Sequence, residues 1–282
     1  MRRVVTKLRQ VKDNIFRGLL WFSAFLSVAV LVMIVGFIFY KGIGLISFDF
    51  IFGNYSPDGD GGIWPMIVTT IYTIGISLVI ATPIGILAAL YLQEYAKQGR
   101  LVKIIRFATE SLTGIPSIIY GLFGAVFFVT TLKFGMSILA ASLTLTIIVL
   151  PVIIRTTEEA LKTVPQAYRE GSLALGTTKL QTLYKVILPN AMPGILSGII
   201  LSIGRIVGES AAIFLTAGTV AALPESIFSS ARTLTVHSYL VTQEAGDIEL
   251  AAAVGIVLIV IILAINLSAT YLSKKLNKAD QK

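Results

Sequence analysis

The sequence predicts an all-α integral membrane protein with six transmembrane helices and short amphipathic helices held between the fourth and the fifth. Three observations predict it. The mean hydropathy is +0.85, and 55% of the 282 residues are apolar while only 13% are charged, too few charges to cover a soluble domain of this length. The apolar residues gather into six runs long enough, at about 1.5 Å per residue, to cross roughly 30 Å of hydrocarbon. The 23 Lys and Arg residues concentrate in the segments that a six-span topology places on one side.

Residues 1–18 are basic (Arg2, Arg3, Lys7, Arg9, Lys12, Arg17), and the first apolar run, 19–40, follows directly. That run is longer than the apolar part of a secretory signal and lacks a small-residue cleavage site, so it reads as a retained helix. A polar, glycine-rich loop (SPDGDGG) leads to the second span, 66–92, with Pro83 and Gly85 in its later half. After a basic segment, 93–110, come the third span, 112–131, a tight turn, and the fourth span, 137–154. The fifth span, 193–217, and the sixth, 250–272, flank a loop carrying Glu225, Arg232, His237, Glu244, Asp247 and Glu249. The chain thus divides into an N-terminal part with the first helix and its loop (1–65), a helical core (66–272, with a polar insert at 155–192) and a basic tail (273–282). His237 is expected at the surface or an interface.

Six spans put both termini on one side. That side holds six Lys or Arg in the N-terminal segment, four in 93–110, five in the polar insert and four in the tail, against Lys41, Lys133 and Arg232 on the other. The positive-inside rule makes the richer side cytoplasmic. The net charge of +8 is therefore a topology signal rather than a nucleic-acid footprint. With no cysteine and one histidine, the chain has no disulfide, no thiolate metal site and no histidine cluster.

Arg205 and Glu209 are the charged residues well inside a span. Counted from Pro193, Arg205 lies about 18 Å along the helix, near the midplane. An unpaired charge there costs ~2.5–3.5 kcal/mol, so neither should face lipid. At helical spacing Gly194, Gly198, Ser202, Arg205, Glu209, Ala212 and Thr216 share one arc, while Ile195, Ile199, Ile203, Ile206, Val207 and Phe214 fill the rest. This small, polar stripe is expected to wall a path across the membrane. The two charges allow two readings. They can form an i, i+4 ion pair that pins helices together. Alternatively, Arg205 offers its guanidinium fork to an oxyanion while Glu209 steadies the fork or accepts a proton-bearing substrate oxygen. The second arrangement suits phosphate, which keeps a proton at neutral pH, over sulfate, which does not.

The polar insert opens with RTTEEALKTVPQAYREGSLALGTTKLQTLYKVILP. Thr156 and Glu159 have capping-box spacing for a first short helix, Pro165 suits the first turn of a second, and Gly176 can close it in a left-handed conformation. Leu180, Leu183, Tyr184, Ile187 and Leu188 give a third amphipathic helix that Pro189 should stop. Tyr168, Gly171, Ser172 and Leu175 share a face of the second helix, with small residues where close approach is needed. Such an elbow can seat in a partner's groove and carry rigid-body motion into the flanking spans.

The insert resembles the EAA loop of type I ABC importer permeases, E-A-A, three residues, Gly, nine residues, I-x-L-P. Glu170, Gly176, Leu188 and Pro189 match it, and Gly171, Ser172 and Val186 stand where Ala, Ala and Ile are usual. GGIWPMIVTTIYT, GIPSIIYGLFG, LPVIIRTTEEALKTVPQAYREGSLALG, GRIVGES and TLTVHSYL, in this order, extend the resemblance over about 61–272 to phosphate ABC transporter permeases. GRIVGES is similar to that family's GRAxGET, whose next residues are usually Ala-Pro; here they are Ala211 and Ala212. The resemblance implies the type I permease fold and a non-catalytic transport subunit of the bacterial cytoplasmic membrane. It implies a second related permease, two copies of a cytoplasmic ATPase that binds the ATP and Mg, and an external phosphate-binding protein. It places phosphate passage at Arg205 and Glu209. Arg155, at the cytoplasmic edge, is either a product-exit contact or a positive-inside anchor.

Other classes fit less well. An ion-coupled secondary transporter would favour inverted repeats or more intramembrane acids and leaves the elbow unused. A membrane enzyme lacks a catalytic set here, and GTTKLQT lacks the GxxxxGK[ST] spacing of a phosphate-binding loop. A permease for another oxyanion, such as phosphonate or molybdate, stays open beside phosphate.

Overall fold

The computed structural model describes the backbone of residues 2–56 and 61–279, and the side chains of 13–56 and 61–271. The basic side chains of 2–12, loop residues 57–60 and the tail's lysines lie outside the described residues.

Long helices form where the apolar runs are: α1 (Arg2–Gly42), α3 (Trp64–Leu90), α6 (Ile138–Thr163), α9 (Leu188–Val207) and α12 (Ile248–Ala279). Short helices connect them: α2 (Phe48–Phe52), α4 (Arg100–Thr113), α5 (Ser117–Gly124), α7 (Gln166–Ala174), α8 (Lys179–Thr182), α10 (Ala211–Ala217) and α11 (Leu234–Leu240). Wide π-type turns extend α3 to Tyr95, α5 to Thr131 and α11 to Ala245, and join α8 to α9. Among the described residues five helices are long and apolar enough to cross a membrane, and the number is six when α4 and the extended α5, bent by 100° at their junction, are counted as one broken span.

The packing centre is α6, with α3 on one side and α9 on the other. Leu145, Ile148, Val149 and Ile153 of α6 meet Ile74 and Ala81 of α3 and Ile203, Ile206 and Val207 of α9 in one buried cluster. Several polar residues inside this layer are satisfied by backbone, while the buried Ser142 and Thr157 hydroxyls of α6 find no partner among the described residues. Thr69, Thr70, Thr73 and Ser77 each donate to the carbonyl one turn back, and Thr146 Oγ1 on α6 reaches Ser77 O at 3.3 Å. Each interhelical bond of this kind contributes about 0.6 kcal/mol in a bilayer. By contrast α1 is exposed along its apolar length and packs on α12, where Gly42 approaches the Ala252–Ala253 backbone.

Four expectations change. The third span is broken. Pro116 starts α5 as its cap, and the residue before a proline is pushed out of the helical region. Ser117–Thr131 forms about 22 Å of helix beyond the bend. The fourth span runs on to Thr163, so Thr156 caps nothing: its hydroxyl donates to Val152 O at 2.8 Å in mid-helix. Pro189 does not stop a helix. It closely follows the wide π-type turn Leu183–Ile187, and one helical stretch runs through it from Lys179 to Val207. The fifth span ends at Val207, and α10 starts afresh at Ala211.

His237 is not at the surface. It is 2% exposed on α11, edge-on to Tyr55 at 5.8 Å, and the Arg232 guanidinium lies 4.6 Å over the same Tyr55 ring.

Candidate functional site

The break between α9 and α10 holds the two charged residues. Arg205 is on the last turn of α9, half-buried, with open space beside the neighbouring Gly204, and makes no ion pair or side-chain hydrogen bond among the described residues. Glu209, 8% exposed, lies past the helix end, where its Oε1 accepts from the Ala212 N–H of α10 at 3.2 Å. The i, i+4 ion pair is therefore absent: the helix that would align the two side chains ends between them. Thr235 of α11 donates to the last α9 carbonyl, Val207 O, and Gly121 of α5 lies against Ala212. Three elements thus fix the break without a proline. The Ala212 N–H that anchors Glu209 is a donor that a proline at this position would lack.

The small-residue stripe of α9 points elsewhere than expected. A Cβ on Gly198 would meet Thr156 Oγ1 at 2.0 Å, and one on Gly194 would meet the Ala160 Cβ at 2.5 Å. Ser202 is fully buried and donates to its own Gly198 O, while Ala212 and Thr216 are also fully buried. These residues let α9 and α10 approach their neighbours; they do not wall a path. The face left open carries Pro193, Ser197, Leu201, Gly204 and Gly208, with Arg205 at its edge. Arg205 alone of the expected stripe lies beside a surface that the chain itself leaves uncovered.

Arg155 is 55% exposed but engaged: it pairs with Glu110 of α4 at 3.2 Å and with Glu159 at 3.2 Å. Together with Arg106–Glu158 at 3.0 Å, this gives a reciprocal pair of bridges between α4 and α6.

The elbow is built by α7, α8 and the turn between them. Pro165 caps α7, and Gly176 closes it at φ +81°, a conformation that suits glycine. Thr178 and Gln181 form a full capping box on α8. Glu170, Gly171 and Leu175 are exposed, as are Tyr168, Leu173 and Leu180. That is a cluster of apolar side chains on the polar end of the bundle, as a docking surface needs. Ser172 departs from its expected face: its hydroxyl lies 2.8 Å from that of Thr177 and 3.0 Å from that of Thr182, closing the elbow from inside. Leu188 and Pro189 are half-buried at the start of α9, Leu188 packing against the buried cluster that includes Leu161, Leu183 and Ile187. The outer half of the motif is thus presented and the inner half anchored. Sequence reasoning missed Arg169, whose guanidinium bonds Glu94 75 residues away; only its place beside Glu170 pointed to it.

The fold, the elbow and the charged break define a membrane component of an importer, and the comparisons agree. Residues 81–278 match the binding-protein-dependent transport system inner membrane component family, and the chain belongs to it. It is 33% identical to the probable ABC transporter permease protein YqgI of Bacillus subtilis over 96% of this chain and 98% of that one. It is 35% identical to phosphate transport system permease protein PstA 1 of Mycobacterium tuberculosis over 74% of this chain and 68% of that one. The fold is similar to a bacterial alginate ABC transporter chain (TM-score 0.67, 18% identity, 94% of this chain and 98% of that one). It is also similar to the MetNI methionine ABC transporter in inward-facing form (TM-score 0.59, 22% identity, 76% and 94%).

Proposed function

We propose that this chain is one permease subunit of an ATP-driven importer of inorganic phosphate. The observation that carries the reading is Arg205: a cation inside a span, without an internal partner, beside a face that the chain itself leaves uncovered. Intramembrane charges kept without a partner mark substrate pathways, and a guanidinium fork fits an oxyanion's paired oxygens. Similarity to PstA proteins of several bacteria supports phosphate as that oxyanion. A second related permease completes the path, and an external binding protein delivers phosphate. Two copies of an ATPase, which bind the ATP and Mg, grip the elbow at Glu170, Gly171, Leu175 and Gly176. The basic face and both termini lie in the cytoplasm, as the distribution of Lys and Arg requires. This chain itself catalyses nothing.

Uptake of radiolabelled phosphate by cells lacking the subunit and complemented with it tests the reading. Excess sulfate, phosphonate and molybdate should leave uptake unchanged. Uptake blocked by molybdate or phosphonate would reassign the substrate, and ATP-independent uptake by this chain alone in liposomes would remove the importer class.

A further inference from the structure

The end of α3 is gripped by both elbow helices. Arg169 of α7 contacts Glu94 Oε1 through Nη2 at 3.0 Å and Nε at 3.3 Å. The same guanidinium donates to Val164 O at 2.7 Å and to Leu161 O at 2.8 Å, two carbonyls at the end of α6. The pair is nearly dry, its side chains 15% and 11% exposed. From α8, Lys179 Nζ donates to the Glu94 backbone carbonyl and lies 4.7 Å over the Tyr95 ring. Two cations thus converge on a helix C-terminus, where the macrodipole favours positive charge.

The elbow is joined to α6 and α9 by the chain itself, but to α3 only through space. That joint is made by the cluster in which Leu90 is buried with Leu161, Val164, Leu183 and Ile187 and by these charged contacts, its polar and directional part. The hydroxyl contacts between α3 and α6, such as Thr146 to Ser77, lie well along the spans and away from the end an ATPase would push. We infer that the Arg169–Glu94 pair, with Lys179, is the linkage that carries motion of the elbow into α3, so that three spans move with it. Arg169 and Glu94 are positioning residues of the transport cycle. The inference rests on the reading that a partner ATPase grips α7. A guanidinium suits the site because Nε and Nη2 reach Glu94 while Nη1 and Nη2 reach the two carbonyls, whereas a lysine carries all its donors on one nitrogen and lacks that planar fork.

The test uses the full assembly, permeases with ATPase and binding protein, in proteoliposomes. It compares Arg169→Lys, Glu94→Gln and the double variant for ATPase copurification, ATP hydrolysis and phosphate moved per ATP. The expected result is intact assembly and at least half the hydrolysis rate. Phosphate per ATP should fall about tenfold in each single variant, and no further in the double, since partners in one contact are not additive. Unchanged phosphate per ATP in assembled single variants overturns the linkage. So does loss of ATPase copurification in both, which would make the pair a folding element of the elbow. Failure of the underlying reading shows separately, as absence of ATP-dependent phosphate uptake by the wild-type assembly.

Discussion

Glu209 turns away from Arg205 and bonds the Ala212 N–H at 3.2 Å, although the two charges are one helical turn apart in sequence. The carboxylate organises the start of α10, and the guanidinium is left without an internal counter-ion. The two residues therefore separate by experiment. Glu209→Gln retains an acceptor and should keep thermal stability near wild type. Glu209→Ala loses the cap and should cost about 1 kcal/mol, the usual value for a lost helix-start acceptor. Equal losses in both variants, read by thermal unfolding in detergent, would show that the charge rather than the cap matters.

Arg205→Ala should leave unfolding within about 0.5 kcal/mol of wild type, because no internal bond is lost. Its phosphate uptake should drop by about 10- to 100-fold, the equivalent of a charge-assisted hydrogen bond of ~1.5–3 kcal/mol. Arg205→Lys should recover part of it. Normal uptake in Arg205→Ala would take the residue out of the pathway.

Two glycines on α9 should behave in opposite ways. A Cβ on Gly198 would lie 2.0 Å from Thr156 Oγ1, while Gly204 has open space. Gly198→Ala should destabilise by about 1–3 kcal/mol through forced separation of α9 and α6. Gly204→Ala should be neutral or stabilising by up to ~1 kcal/mol, as for glycine replaced inside a helix. Circular-dichroism melting curves decide it, and the reverse order would restore the path-wall reading of the stripe.

Burial, and then the charge of Arg232, lowers the His237 imidazole from its ordinary 6.5 to about 4. Between those values the unfolded chain binds a proton that the native state refuses. Stability from this group is whole above about pH 6.5 and is lost as the pH falls towards about 4, by roughly 3 kcal/mol in total. Melting temperatures measured at pH 7.5 and pH 5 should fall less in His237→Gln than in wild type. An identical fall in both would place the acid sensitivity in another group.

The long apolar helices and the elbow were legible in the sequence because each depends on local quantities. A bilayer selects apolar length, the bias of Lys and Arg sets sidedness, and Gly176 declares its turn by what its backbone must do. The arrangement around the candidate residues was not legible. Helical periodicity says that Gly198, Ser202 and Arg205 share a face; it does not say which neighbour covers that face, and small residues suit a pore wall and a close helix contact equally. The tertiary structure chose the contact, with α6 filling it. The structure likewise set the break after Val207, which Thr235 and Gly121 hold from distant segments without a proline. The Arg169–Glu94 pair spans 75 residues and has no local signature. Hydropathy, charge bias and turn chemistry act within a few residues of chain and can be read along it. Ion pairs between helices and the covering of one helix by another exist only once the chain has packed.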